Sequence, residues 1–204
     1  MSSSSPTRRG LRAAWPWLFF AAAIGLWVVE SLHHDEALPE GATAPSVSFE
    51  GERGSFALDE LRGHTVVLAF WASWCSACRA EAPVLSRVHR AIEARGDRVI
   101  GASVDEMELA EIRGHAQRFG ITYEVARATA RAVTELRVDL LPTIYVIAPD
   151  GTIVESFTGV ASEETILDAV ERARTRTAGA TARFEGPAVA AGSPPSERAA
   201  RETR

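Results

Sequence analysis

The alternation of apolar and polar positions predicts strands and helices that follow one another along the middle of the chain. Thr65–Ala72 is an almost continuous apolar run, which is typical of a strand buried on both faces of a sheet. From Ser76 to Arg95 apolar residues recur at spacings of three and four, which predicts a helix, and Pro83 inside it should produce a kink. The same criteria predict a hairpin with a helical turn over 46–63, strands over 97–105 and 121–127, helices over 107–120, 128–138 and 162–175, and a hairpin over 143–159. This order indicates an α/β fold, a sandwich of helices around a mixed central sheet.

The N-terminal part of the chain contains a long stretch without charge, Ala13–Val29. A transmembrane helix needs about 17–25 predominantly apolar residues, so this stretch is long enough to form one. Arginines precede it at positions 8, 9 and 12 and acidic residues follow it, which places the N-terminus in the cytoplasm and the rest of the chain outside. A cleaved signal peptide is the alternative, and it would also place the remaining chain outside the cytoplasm.

These features divide the chain into five parts. We expect a cytoplasmic N-terminus at 1–12, a transmembrane signal-anchor at 13–32, a linker at 33–42, a folded domain at 43–177 and a disordered tail at 178–204. The tail has few large apolar residues, so it cannot bury enough apolar surface to fold. The predicted location is the cytoplasmic (inner) membrane, crossed once, with the folded domain on the periplasmic, extracytoplasmic side.

The overall charge argues against a nucleic-acid partner. The 204 residues carry a net charge of −5, from 22 basic and 27 acidic side chains. No overall positive field would therefore attract a polyanion.

The chain has two cysteines, Cys75 and Cys78, both in the stretch FWASWCSACRAEAP. They lie where the predicted buried strand gives way to the predicted helix. Free N–H groups and the positive end of the helix dipole favour a thiolate at Cys75, which we expect to be the exposed sulfur that attacks a disulfide. Cys78 then resolves the mixed disulfide by attacking Cys75.

Two other roles for the cysteine pair are weaker. A structural zinc site normally takes four ligands, and the chain has no second cysteine pair. A purely structural disulfide across two residues constrains the unfolded chain little. We therefore expect no metal and no cofactor beyond the Cys75–Cys78 disulfide and its dithiol form.

Together with LLPTIYVIAPDGTIVESFTG, the cysteine stretch resembles the thioredoxin fold, and specifically its membrane-anchored TlpA/ResA/DsbE-like branch, over about 42–174. The resemblance implies that Trp74 shields the rim of the active site beside Cys75. It also implies that Pro142 follows a cis peptide bond, which is uncommon outside such motifs. Leu141 and Thr143 would then border the substrate groove.

The resemblance also implies a role for Glu81. The branch has the pattern C-x-x-C-x-x-E-x-P, which Cys75 to Pro83 matches. Cytosolic thioredoxins keep a buried aspartate at the position that Ala69 occupies here. Glu81 is therefore expected to exchange a proton with Cys78, although a glutamate on a helix is more commonly a solvated surface acid.

The predicted function is that of an extracytoplasmic thiol-disulfide oxidoreductase, and the resemblance favours a reductase of protein disulfides. Its substrates would be proteins such as apocytochrome c or copper-assembly proteins, and a membrane thiol carrier would supply its electrons. Ala77 stands where many members of the branch have proline, and the residues between the cysteines influence the reduction potential. A peroxiredoxin-type peroxidase and a copper-chaperone-like protein are the alternatives, but the first usually has T-x-x-C and the second C-x-x-x-C.

Overall fold

The computed structural model describes residues 23–25 and 37–184, with side chains described as far as Arg176. The predicted cytoplasmic N-terminus, all of the predicted anchor except 23–25, and residues 185–204 of the predicted tail lie outside these ranges. Within the described residues no helix has both the length and the apolar character that crossing a membrane requires.

A seven-stranded mixed sheet forms the centre of the domain, as the sequence predicts. Its strands are β1 (Ser48–Gly51), β2 (Gly54–Ala57), β3 (Val66–Trp71), β4 (Arg98–Ser103), β5 (Glu124–Ala128), β6 (Thr143–Ile147) and β7 (Ile153–Thr158). They lie in the order β2-β1-β5-β4-β3-β6-β7. The pairs β3–β4 and β4–β5 are parallel and the other pairs are antiparallel.

Four α-helices lie within 37–184. They are α1 (Ser76–Ile92), α2 (Leu109–Arg118), α3 (Ala130–Glu135) and α4 (Glu163–Phe184), and short 3-10 helices span Leu58–Leu61 and Glu93–Arg95. Pro83 lies inside α1. Ser162 caps α4, because its hydroxyl accepts a hydrogen bond from the Thr165 N–H at 3.2 Å.

Strand β3 is buried on both faces, as its apolar run predicts. All of its residues are buried, and alternate side chains point to opposite faces of a sheet. Val66, Leu68 and Phe70 pack on the side that α3 covers. Val67 and Ala69 pack on the side that α1 and α4 cover. Burying a large aliphatic or aromatic side chain contributes about 1.5–3 kcal/mol, so β3 anchors both helix layers.

The folded domain begins earlier than predicted. The linker was expected to extend to residue 42, but the Gly41 N–H donates to the Ile153 carbonyl and the Ile153 N–H donates to the Ala42 carbonyl, both at 2.8 Å. The Leu38 N–H donates to the Tyr145 hydroxyl at 3.1 Å. These hydrogen bonds attach residues 38–42 to β6 and β7. The side chains of Leu38 and Ala42 also pack against the hydrophobic core.

The last helix ends later than predicted. The disordered tail was expected to begin at residue 178, yet α4 continues to Phe184. Four of residues 178–184 are Ala or Arg, and both residue types have high helix propensity. Low hydrophobicity in this segment therefore does not end the helix.

Candidate active site

Three chain segments meet at one end of the sheet. β3 ends at Trp71, and α1 begins at Ser76. At this end Thr143, the first residue of β6, is paired with Phe70 of β3 on one side and with Thr158 of β7 on the other. The loop after β3, the loop before β6 and the loop after β7 therefore lie side by side, and Cys75 ends the first of these loops.

Cys75 is the N-cap of α1, and its sulfur accepts a hydrogen bond from the Cys78 N–H at 3.1 Å. The two cysteines form a disulfide in this structure. Once the disulfide is reduced, the same N–H group and the positive end of the α1 dipole can stabilise negative charge on the Cys75 sulfur. The pair therefore has the local geometry that the sequence predicts for an attacking thiolate and its resolving partner.

Cys75 is less exposed than predicted. Only 7% of its surface is accessible, against 4% for Cys78. Both cysteines belong to a buried cluster that also contains Trp71 of β3 and Ile112 and Ala116 of α2. Cys75 remains the more accessible of the two, so a substrate disulfide would reach its sulfur first.

Glu81 is buried, with 2% of its surface accessible. It follows Cys78 by three positions, so the two residues are neighbours along one face of α1. Burial raises the pKa of its carboxyl group to about 7, and the hydrogen bond that it accepts from the Ala161 N–H lowers the pKa by a smaller amount. That bond is 3.1 Å long and reaches the Oε1 atom. Glu81 can therefore hold or release a proton near neutral pH, and it is not a solvated surface acid.

Tyr123 is a buried neighbour of Glu81 that sequence reasoning missed. Burial raises the pKa of its hydroxyl, and the negative charge of Glu81 raises it further. Its ring lies against Gly101 of β4, where an added Cβ would be 2.9 Å from Tyr123 Cε2 and 3.2 Å from Trp71 Nε1. A glycine at position 101 therefore lets the two aromatic rings approach the strand.

Of the residues predicted to border the active site, Trp74 and Leu141 are at least partly exposed, whereas Pro142 and Thr143 are buried. Trp74 is 73% exposed, and Leu141 is half-buried between the core and the cysteine cluster. The Leu141–Pro142 bond is cis, as predicted, and Pro142 itself is buried. Thr143 was expected to border the groove, but only 1% of it is exposed. Its hydroxyl donates to the Leu140 carbonyl at 2.8 Å, so this side chain faces inward.

Two exposed apolar residues at the same end of the sheet were not predicted. Leu140 is 57% exposed and Val160 is 55% exposed. Leu140 lies in the loop before β6 and Val160 in the loop after β7. The two loops are joined, because the Gly159 N–H donates to the Pro142 carbonyl at 2.8 Å. Together with Trp74 of the loop after β3, they are exposed apolar residues on the three adjacent loops, and we call this set the apolar rim (Trp74, Leu140 and Val160).

The described part of the chain contains no cluster of three or more His, Cys, Asp and Glu side chains that could hold a metal ion. The prediction that the cysteine pair works without a cofactor stays a prediction.

A family model matches residues 41–156, which include every predicted site residue, and its description is AhpC/TSA family. The chain belongs to the AhpC/TSA family. This AhpC/TSA domain is also 30% identical over 135 residues to the thiol-disulfide oxidoreductase ResA of Bacillus subtilis (strain 168), an alignment that covers 65% of this chain and 75% of ResA.

Solved structures of thiol:disulfide interchange proteins share this fold. The AhpC/TSA domain matches the crystal structure of a DsbE-type thiol:disulfide interchange protein from Chlorobium tepidum with a TM-score of 0.61 and 24% identity, over 67% of this chain and 99% of that one. A thioredoxin family thiol:disulfide interchange protein from Chlorobium tepidum TLS gives a TM-score of 0.56 and 26% identity, over the same shares of the two chains. The AhpC/TSA domain is thus a thioredoxin-like thiol-disulfide oxidoreductase similar to ResA, which confirms the fold and the enzyme class predicted from the sequence.

Proposed function

We propose that this thiol-disulfide oxidoreductase works as a reductase of protein disulfides outside the cytoplasm. The observation that carries the mechanism is the position of Cys75 as the N-cap of α1, with the Cys78 N–H directed at its sulfur. Glu81 lies buried three positions beyond Cys78, so a proton acceptor is available near the resolving cysteine.

The reaction transfers two electrons to the substrate. The Cys75 thiolate attacks one sulfur of a substrate disulfide, so that a mixed disulfide forms and the other substrate sulfur leaves as a thiolate. Cys78 then gives its proton to Glu81 and attacks the Cys75 sulfur. This second step breaks the mixed disulfide, releases the second substrate thiolate and leaves Cys75 and Cys78 joined. The two substrate thiolates take up one proton from Glu81 and one from water, so the substrate disulfide is reduced to two thiols while the enzyme dithiol is oxidised to the Cys75–Cys78 disulfide.

The surroundings of the cysteine pair favour a polypeptide substrate. The apolar rim offers exposed side chains on three adjacent loops, and apolar groups of an extended segment next to a substrate cysteine can cover them. Apocytochrome c before haem attachment and copper-assembly proteins are the proposed substrates. A membrane thiol carrier would return the enzyme to its dithiol form, because the extracytoplasmic compartment is oxidising.

The proposed location is the outer face of the cytoplasmic membrane, with residues 13–32 as an uncleaved anchor. The uncharged stretch Ala13–Val29 and the arginines before it support this location. We expect the full chain in the membrane fraction, with its folded domain accessible to a protease added to spheroplasts. A chain that lacks 13–32 is the matched control and should leave the membrane fraction. Recovery of the full chain from the cytoplasm would contradict the proposal.

The direction of the reaction is tested by the reduction potential of the Cys75–Cys78 pair. We expect a value more reducing than about −200 mV, in the range of reductases such as thioredoxin at about −270 mV. Equilibration of the purified chain with glutathione buffers of known ratio gives this potential. A value near that of the strong oxidant DsbA, about −120 mV, would contradict the proposed reductase.

A comparison of two substrates tests the preference for polypeptides. Trp74→Ala should slow the reduction of a protein disulfide and leave the reduction of oxidised glutathione unchanged, because glutathione has no apolar segment to cover the rim. An equal effect on both substrates would place Trp74 in the exchange step rather than in substrate recognition.

A further inference from the structure

The parallel pair β3–β4 has a buried aspartate at each end. Asp97 lies just before β4 and accepts a hydrogen bond from the Thr65 N–H at 3.0 Å. Asp105 lies two residues after β4 and accepts one from the Ser73 N–H at 2.8 Å. In both bonds the partners are 32 positions apart, so each aspartate joins the flank of one strand to the flank of the other.

The two aspartates differ in their other partners. Asp97 is 7% exposed and forms an ion pair with Arg174 of α4. Asp105 is 8% exposed and accepts hydrogen bonds from two hydroxyl groups, Ser73 at 3.0 Å and Ser103 at 2.8 Å. Within 37–176 no arginine or histidine forms an ion pair with Asp105. Asp97 therefore anchors a helix, whereas Asp105 binds the loop that follows β3.

That loop leads directly to the reactive sulfur. Ser73 precedes Cys75 by two positions, and the Cys75 N–H donates to the Ala72 carbonyl at 3.1 Å. At the end of β3, the Val104 N–H donates to the Trp71 carbonyl at 2.9 Å. The chain from β3 to Cys75 is therefore held from the Asp105 side by one backbone bond at Trp71 and by two bonds at Ser73.

We propose that Asp105 is a positioning residue for the exchange reaction. Through Ser73 it fixes the turn that makes Cys75 the N-cap of α1, and this turn directs the Cys78 N–H at the Cys75 sulfur. Ser103 holds the carboxyl group of Asp105 in place, because its hydroxyl also accepts from the Asp105 N–H at 3.2 Å. This inference rests on the proposed function, since it concerns the sulfur that attacks the substrate.

The test compares Asp105→Ala with Asp97→Ala in the full chain, both in a Cys78→Ala background in which Cys75 is the single thiol. The rate of Cys75 alkylation by iodoacetamide is followed against pH, and the melting temperature is measured in parallel. We expect both variants to melt at lower temperature. Asp105→Ala alone should slow alkylation at pH 7 by on the order of tenfold, with the apparent pKa of Cys75 raised by about one, because the thiolate loses its aligned donor.

Further variants keep the test decisive if Asp105→Ala fails to fold. Ser73→Ala removes one hydroxyl donor and leaves the backbone bond, so it should shift the profile in the same direction by a smaller amount. Asp105→Asn keeps an acceptor oxygen and should restore part of the rate. If Asp105→Ala had the same alkylation profile as the parent, the proposal would be overturned. It would also be overturned if Asp97→Ala slowed alkylation and raised the apparent pKa of Cys75 as much as Asp105→Ala.

A lowered Cys75 pKa in Asp105→Ala would overturn it as well, because it would mean that Asp105 acts through its charge. Alkylation measures the reactivity of Cys75 without any disulfide substrate. The positioning role of Asp105 can therefore be contradicted while the reductase function stands, and the reductase function can be contradicted while the positioning role stands.

Discussion

Cys75→Ser is expected to lower the turnover of a protein disulfide by roughly a thousandfold or more, because the nucleophile that forms the covalent intermediate is lost. The serine hydroxyl can occupy the same N-cap position, so the fold should be retained. The measurement is the steady-state reduction of a protein disulfide by the full chain, with an external dithiol that restores the reduced enzyme.

Cys78→Ala should also lose turnover, but it should stop at a different point. Cys75 still attacks, and the mixed disulfide accumulates because no second sulfur resolves it. Non-reducing electrophoresis and mass spectrometry detect this species and the proteins trapped in cells. Ser76→Ala is the matched control, since it changes an exposed residue between the cysteines and should trap nothing. Accumulation of mixed disulfides in Cys75→Ser, where Cys78 is the single thiol, would contradict the assigned order of attack.

Glu81→Gln is expected to remove a pH dependence of stability. The pKa of Glu81 rises from 4.5 to about 7 because burial disfavours its charged form. The folded protein therefore holds a proton that the unfolded chain has lost, and the free energy of unfolding falls as pH rises between about 4.5 and 7. A change of one in pKa corresponds to 1.36 kcal/mol. The rise of the Glu81 pKa from 4.5 to about 7 therefore lowers the free energy of unfolding by roughly 3 kcal/mol across this pH range.

The glutamine variant stays neutral at every pH, and its amide oxygen can accept the Ala161 N–H. Below pH 4.5 its stability should match that of the parent, and above pH 7 it should exceed it. Denaturant unfolding at a series of pH values measures both. Glu164→Gln, which changes an exposed residue of α4, is the control and should leave the profile unchanged. The resolution step should also slow in Glu81→Gln and lose its inflection near pH 7. If the stability of Glu81→Gln depended on pH in the same way as that of the parent, Glu81 would be solvated in solution.

Local sequence patterns predict much of this fold. The apolar run at 65–72 identifies β3 because only a strand covered on both sides tolerates so few polar positions. The spacing of apolar residues after Ser76 identifies α1, and the boundary between the two elements places Cys75 at a helix start. These features depend on neighbouring residues, so they can be recognised without the rest of the chain.

The contacts that the sequence could not predict depend on strand register. The bond between Ser73 and Asp105 exists because β3 and β4 are paired with Trp71 opposite Ser103, which brings their carboxyl ends together. Thr143 was placed on the groove by its position beside Pro142. However, β6 lies between β3 and β7, so its first side chain is enclosed. Tyr123 lies between α2 and β5 and Glu81 lies on α1, so no spacing along the chain indicates that the two residues are neighbours.

The central claim is that the N-terminal end of α1 holds the reduced Cys75 sulfur as a thiolate. The pH dependence of iodoacetamide alkylation, measured on the reduced chain with Cys78→Ala, tests it most directly. We expect half-maximal reactivity at a pH clearly below the ordinary thiol pKa of about 8.5, with rapid modification at pH 7. A midpoint at or above 8.5, with slow modification at neutral pH, would contradict it.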